Sequence, residues 1–227
     1  MKLLLTIIAV CCFTFAHGQS LKTVKVKSKY LLEQYEVRAD NDTLRDGTYR
    51  KYLRDGDVLL EEGSYANSRR IGTWTFYNRT GQPELIYNYS TAQVITNNRT
   101  TATADTMGII QLEGKGTTVR LTPPPIYLAS THQISAILSR ESRPPMHLHR
   151  EGITELSYQI AATVSPVGAR YRIIASHPDR EFRQNAQQWA ALAFKDVQWL
   201  PGSYEGQPVT AIYLLPAITM HLWAVVR

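Results

Sequence analysis

The sequence predicts an α+β protein in two parts, an N-terminal antiparallel β meander of hairpin repeats and a small C-terminal domain of mixed helices and strands. Three observations predict it. The stretches GTYRKYLRDG (47–56) and GTWTFYNRTG (72–81) match in register, 25 positions apart. From Leu156 the chain alternates apolar and polar residues, and further on Phe182, Ala186, Trp189, Ala190 and Ala193 share one helical stripe. Between these regions Pro123-Pro124-Pro125 marks a stiff, extended break.

The chain of 227 residues opens on Lys2 and an apolar run from Leu3 to Ala16, followed by His17-Gly18-Gln19-Ser20. A basic start, a short apolar stretch and small residues before Gln19 have the form of a secretory leader over 1–18. The run is short for a membrane span, which needs about 20 apolar residues. Retention as an anchor and lipidation at Cys11 or Cys12 are the alternatives. The only two cysteines lie in this leader, so the mature chain has no disulfide, thiolate metal site or cysteine nucleophile. Some 200 residues must then be held by their own core. The formal charge is +6, partly from Lys22, Lys25, Lys27 and Lys29. Alternating lysines suit a solvated strand edge, and no nucleic-acid-binding motif accompanies them.

Residues 19–122 read as a β-rich repeat domain. Gly47 matches Gly72, Tyr49 matches Trp74, Tyr52 matches Tyr77, Arg54 matches Arg79, Gly56 matches Gly81 and Leu60 matches Leu85. Each copy reads as strand, Gly turn, strand, with Asp55-Gly56 and Thr80-Gly81 at the turns. A single hairpin is marginal in water, so two copies are expected to pack their Tyr and Trp faces together. Residues 91–122, punctuated by Gly108, Gly114 and Gly116, read as short strands that continue the sheet. Residues 123–129 form a Pro-rich spacer.

The last part, 130–227, carries a helix through Ile134, Ile137 and Leu138 that stops before Pro144. Leu156, Tyr158, Ile160, Ala162 and Val164 then define the buried face of a strand. Ser165-Pro166-Val167-Gly168 turns the chain into a returning strand with Tyr171, Ile173 and Ala175 on one face. Ser176 or Asp179 caps the helix of the Phe182–Ala193 stripe. Pro208 to Leu215 reads as a strand, and Ile218, Met220 and Leu222 alternate again. The order α-β-β-α-β implies helices on one face of an antiparallel sheet.

Two resemblances follow from these residues. Over about 44–90, G-x-Tyr/Trp-x-x-Tyr-x-x-x-G and Tyr65 to Trp74 resemble the bacterial variant of the MORN repeat, with Ser68 where that pattern has Gly. This implies a small antiparallel meander. Over about 130–222, Gly152-Ile153, the Gly168 turn, Trp199-x-Pro201, Gly206-Gln207-Pro208-Val209 and Pro216-Ala217-Ile218 resemble the TonB family C-terminal domain. Met220 and Leu222 stand near that family's final aromatic.

The second resemblance implies a periplasmic domain that takes an extended segment of a TonB-dependent outer-membrane transporter as an added strand. It places the partner edge at Pro208, Val209, Thr210, Ala211, Ile212 and Tyr213. The family's anchor and long Pro-rich spacer have no counterpart here. The expectation is therefore an exported protein of the periplasm or cell envelope of a Gram-negative bacterium that binds a protein or peptide. The alternatives are an energy transducer with a retained anchor and a structural envelope protein. A homodimer through open sheet edges is compatible with either. His147 and His149 supply two imidazoles where a zinc site needs a third or fourth ligand, for which Glu151 and Glu155 are the candidates, and no nucleophile elbow or phosphate loop is present. No catalysis, metal, cofactor or nucleic-acid partner is expected.

Overall fold

A computed structural model describes residues 20–55, 58–99, 107–112 and 115–222. The leader 1–18 and the turn glycines Gly56 and Gly114 lie outside the described residues. The fold is α+β with mostly antiparallel sheet.

Seven strands form one sheet in sequence order: β1 (Leu21–Lys27), β2 (Leu31–Arg38), β3 (Asn41–Leu53), β4 (Leu59–Ala66), β5 (Arg69–Tyr77), β6 (Pro83–Asn88) and β7 (Gln93–Asn97). Every neighbouring pair is antiparallel. The matched residues of the two repeats meet: the rings of Tyr49 and Trp74 lie 5.2 Å apart, and Tyr65 stands edge-on to both. Trp74 is wholly buried. The repeated glycines Gly47 and Gly72 both have positive φ, which other residues adopt at a cost. Gly81 has φ +75° in its turn, as expected.

The repeat also contains a pair the glycine and aromatic pattern does not reveal. Arg45 and Arg70 are spaced like the glycines they precede. The Arg45 guanidinium lies 4.3 Å from the centre of the Tyr35 ring, and that of Arg70 lies 4.1 Å from the centre of the Trp74 ring. Arg70 also donates to the Tyr89 hydroxyl at 2.8 Å. Glu61, its side chain 1% exposed, is held between Lys51 and Arg70. Each hairpin thus stacks a cation on its aromatics.

Beyond β7 the chain departs from the expected continuation. β8 (Met107–Leu112) and β9 (Lys115–Arg120) form their own hairpin, apart from the seven-stranded sheet. Ile110, Val119 and Leu121 pack with Ala211. The Pro-rich segment also does more than separate two parts. Its β10 (Ile126–Leu128) pairs with β13 (Gln198–Leu200), and Ile126 and Leu128 are buried among the repeat aromatics.

Helices α1 (Thr131–Glu141) and α2 (Met146–Arg150) lead into β11 (Glu155–Ser165) and β12 (Gly168–Ala175). Helix α3 (Arg180–Ala193) follows. All five residues of its stripe are buried, as are Leu156, Tyr158, Ile160, Ala162 and Val164 of β11. Asp179 is the N-cap of α3 and accepts from Phe182 N at 2.7 Å. Ser176 is not the cap; its hydroxyl accepts from Ser157 N.

After β13 come β14 (Gly202–Tyr204), β15 (Gln207–Val209), β16 (Ala211–Leu214) and β17 (Ile218–His221). The single strand expected from Pro208 to Leu215 is two. Pro208 and Val209 belong to the β14–β15 hairpin, whose turn uses positive φ at Glu205 and Gly206. At Thr210 the chain changes partner, and β16 pairs with β11.

The two parts share cores. Tyr30, from the turn before β2, is buried in the C-terminal cluster. Lys29 bridges to Glu141 of α1 at 2.7 Å, and Arg140 to Asp55 at 3.2 Å. The Ser130 hydroxyl donates to the Tyr77 carbonyl, tying the start of α1 to the second repeat.

Candidate functional site

The C-terminal sheet has β11 at its centre, β12 on one side and β16 with β17 on the other. It therefore has two edges, and they differ.

On β12, Ser176 N donates to Ser157 O, which fixes the parity of the ladder. Arg170, Arg172 and Ile174 direct their backbone groups to β11, and Ala169, Tyr171 and Ile173 direct theirs outward. The Tyr171 carbonyl is already taken, since Gln187 Nε2 of α3 donates to it at 3.1 Å. Exposed Arg170 and Arg172 flank this edge, a common defence against pairing.

The opposite edge is built from two strands end to end. β16 lies along Ala161–Val164 of β11, and β17 along Glu155–Tyr158. Leu215 N donates to Ile160 O at 3.0 Å and Leu222 N to Thr154 O at 2.8 Å. Alternation then directs the backbone N–H and C=O groups of Ile212, Leu214, Thr219 and His221 away from β11. No strand among the described residues pairs with them. β8 packs close to β16, so the open stretch lies toward β17.

A cavity of about 770 Å³ runs beside this edge. One wall is the chain from Leu215 to Met220. Helix α1 supplies a second, with Ile134 and Leu138 at its base and Ser135 and Ser139 along it. The seven-stranded sheet closes the end with Asn78, Asn97 and Asn98.

One ion pair sets the relation of these walls. Glu84 of β6 and Arg99, just past β7, lie 3.2 Å apart with side chains 5% and 7% exposed. Glu84 also accepts from Thr131 N at 2.6 Å and from the Thr131 hydroxyl, which places a carboxylate at the positive end of α1. Arg99 donates to the carbonyls of Tyr127 and Ala129 and stacks on the Tyr127 ring. Burial pushes the Tyr127 phenol up to about 12, against the pull of Arg99.

Of the six residues expected at the partner edge, Ala211, Ile212 and Tyr213 lie in β16, and Ile212 presents its backbone outward. Pro208 and Val209 are committed to the β14–β15 hairpin and Thr210 to the connection. The edge continues instead through Leu214, Thr219 and His221. The alternation of Ile218, Met220 and Leu222 signals that strand in the sequence. Nothing in the sequence pairs it with α1 or with Asn97 and Asn98.

His147 and His149 lie on the short helix α2, where a two-residue spacing does not bring side chains together. His147 Nε2 meets Asp179 Oδ2 at 3.0 Å, near Glu181. Among the described residues no group of three His, Cys, Asp or Glu is placed to hold a metal. No helix among them is long and apolar enough to cross a membrane. No family model, curated protein or solved structure matches the chain.

Proposed function

We propose that this chain is an exported, non-catalytic envelope protein whose C-terminal unit binds an extended segment of a protein partner as an added strand. The resemblance to the TonB C-terminal domain makes an outer-membrane transporter the partner class, and the repeat sheet is the scaffold against which the binding unit is set. One observation carries the reading. The β16–β17 edge is free of strand pairing among the described residues and faces a groove of 770 Å³, whereas the β12 edge is guarded. An added strand gains backbone hydrogen bonds from Leu214, Thr219 and His221, and its alternate side chains reach toward α1.

The test places a photo-crosslinker at Thr219 and, separately, at Arg172, in the full chain within the bacterial envelope. Crosslinks from Thr219 should map to one extended segment of an outer-membrane transporter, with none from Arg172. Equal yields from both positions, or crosslinks spread over unrelated proteins, would sink the reading. Mass measurement of the mature N-terminus tests the export step: a chain starting at Gln19 rules out the anchored transducer.

A further inference from the structure

We infer that the guest segment is uncharged, alternates apolar and polar residues, and is read by both parts of the protein. The inference rests on the strand-addition reading and adds the partner's chemistry to it.

Among the described residues the lining of the groove contains two ionised side chains, Glu84 and Arg99, and each neutralises the other. Their remaining hydrogen-bonding capacity is largely used, by Thr131 on one side and by the carbonyls of Tyr127 and Ala129 on the other. A charged guest residue entering here would give up water and find no free counter-ion among the described lining residues. Charge complementarity thus selects a neutral occupant.

The walls then set its pattern. Side chains of an added strand point alternately to the two faces of the sheet. Those on the helix side lie beside Tyr213 and Ile218, half-buried apolar lining residues that share that face of the sheet with Ala162 and Tyr158, so apolar residues are favoured there. Where the segment reaches the end wall it meets Asn98, whose side-chain amide has no hydrogen-bond partner among the described residues and offers both a donor and an acceptor. That wall belongs to the seven-stranded sheet. The repeat part is therefore a contact surface for the guest as well as a support.

The protein's own edge strands fit this chemistry poorly where they carry Lys22, Lys25 and Lys27 or Arg170 and Arg172. A neutral segment of another protein is the occupant that the lining favours.

The test pans a phage library of random nonapeptides against the full chain, then measures the selected peptides as labelled synthetic probes by fluorescence anisotropy. Selected sequences should be depleted in Asp, Glu, Lys and Arg and should alternate apolar with Ser, Thr, Asn or Gln. Binding should fall about tenfold or more with Thr219→Pro, and by a similar factor with N97D and N98D combined. Circular dichroism and thermal melting must show both variants folded. Enrichment of charged peptides overturns the inference. Loss of binding with Thr219→Pro but not with the Asp variants overturns it and leaves strand addition standing. Loss with neither variant, or no enrichment at all, overturns both. An oligomer in light scattering that Thr219→Pro dissolves would make a second copy the occupant and would equally overturn it.

Discussion

Gly63 lies flat against the indole of Trp74: a Cβ added at Gly63 would sit 2.3 Å from ring atom Cδ2. Gly63 marks an irregularity in the β4–β5 ladder, and Trp74 is fully buried between the rings of Tyr49, Tyr65 and Tyr89. A methyl group there has no space unless the indole moves. Gly63→Ala should therefore cost about 3 kcal/mol, at the upper end of ordinary overpacking. Urea unfolding followed by Trp fluorescence checks it. A change under about 0.5 kcal/mol would mean that the ring is not fixed where the structure puts it.

The buried Glu84–Arg99 pair gives a second expectation. Removing one partner leaves a desolvated charge, so Glu84→Met and Arg99→Met should each cost about 3–5 kcal/mol. The double variant should cost clearly less than the two singles added, because neither charge is then stranded. It will not be neutral, since Thr131 N and the carbonyls of Tyr127 and Ala129 lose their partners. A double-mutant cycle in urea measures the coupling. Additive costs would show that the two side chains do not act as a pair.

How much of this was legible depended on the kind of signal. The face Leu156–Val164, the stripe Phe182–Ala193 and the Asp179 cap follow from periodicity and capping chemistry, which are local. The contact of Tyr49 with Trp74 follows from repetition, because copies of one unit stack like on like. Arg45 and Arg70 obey the same spacing, yet a polar residue carries no core signal until its ring partners are known. The split at Thr210 was illegible because an apolar run does not state when a strand changes partner. Glu84 and Arg99 bind parts of the chain that no pattern connects. The groove inherits that difficulty: α1, the β17 edge and Asn97–Asn98 converge through tertiary packing alone.

Asp179 yields an expectation about pH. The Phe182 backbone N–H first, and His147 second, hold its carboxyl below the ordinary value of 3.8. A depressed folded-state pKa contributes stability that is present above the unfolded value and lost as pH falls through the folded one. Asn caps a helix about as well as Asp but does not titrate. Wild type should therefore exceed Asp179→Asn in urea midpoint near neutrality, and the gap should close as pH drops below about 3.9. A gap that stays constant across that window would show that the carboxylate's charge is not what favours the cap.

The two sheet edges give the sharpest contrast. Thr219 directs its N–H outward and Met220 directs its N–H to Leu156. Proline removes the N–H, and strands tolerate it only where that group faces no partner. Thr219→Pro should leave the melting temperature within a few degrees of wild type while abolishing capture of the extended partner. Met220→Pro should unfold the edge itself, at a cost of about 1–3 kcal/mol for the orphaned carbonyl plus the lost packing of Met220. On β12 the expectation reverses. Replacing Gln187 with Ala, and Arg170 and Arg172 with Thr, uncovers the Tyr171 carbonyl and removes the charges that flank it. That triple variant should keep its fold but gain concentration-dependent association in light scattering, as an unguarded edge does. If it stays monomeric while Thr219→Pro still binds the partner, the assignment of guarded and open edges is inverted, and the docking strand must be sought on β12.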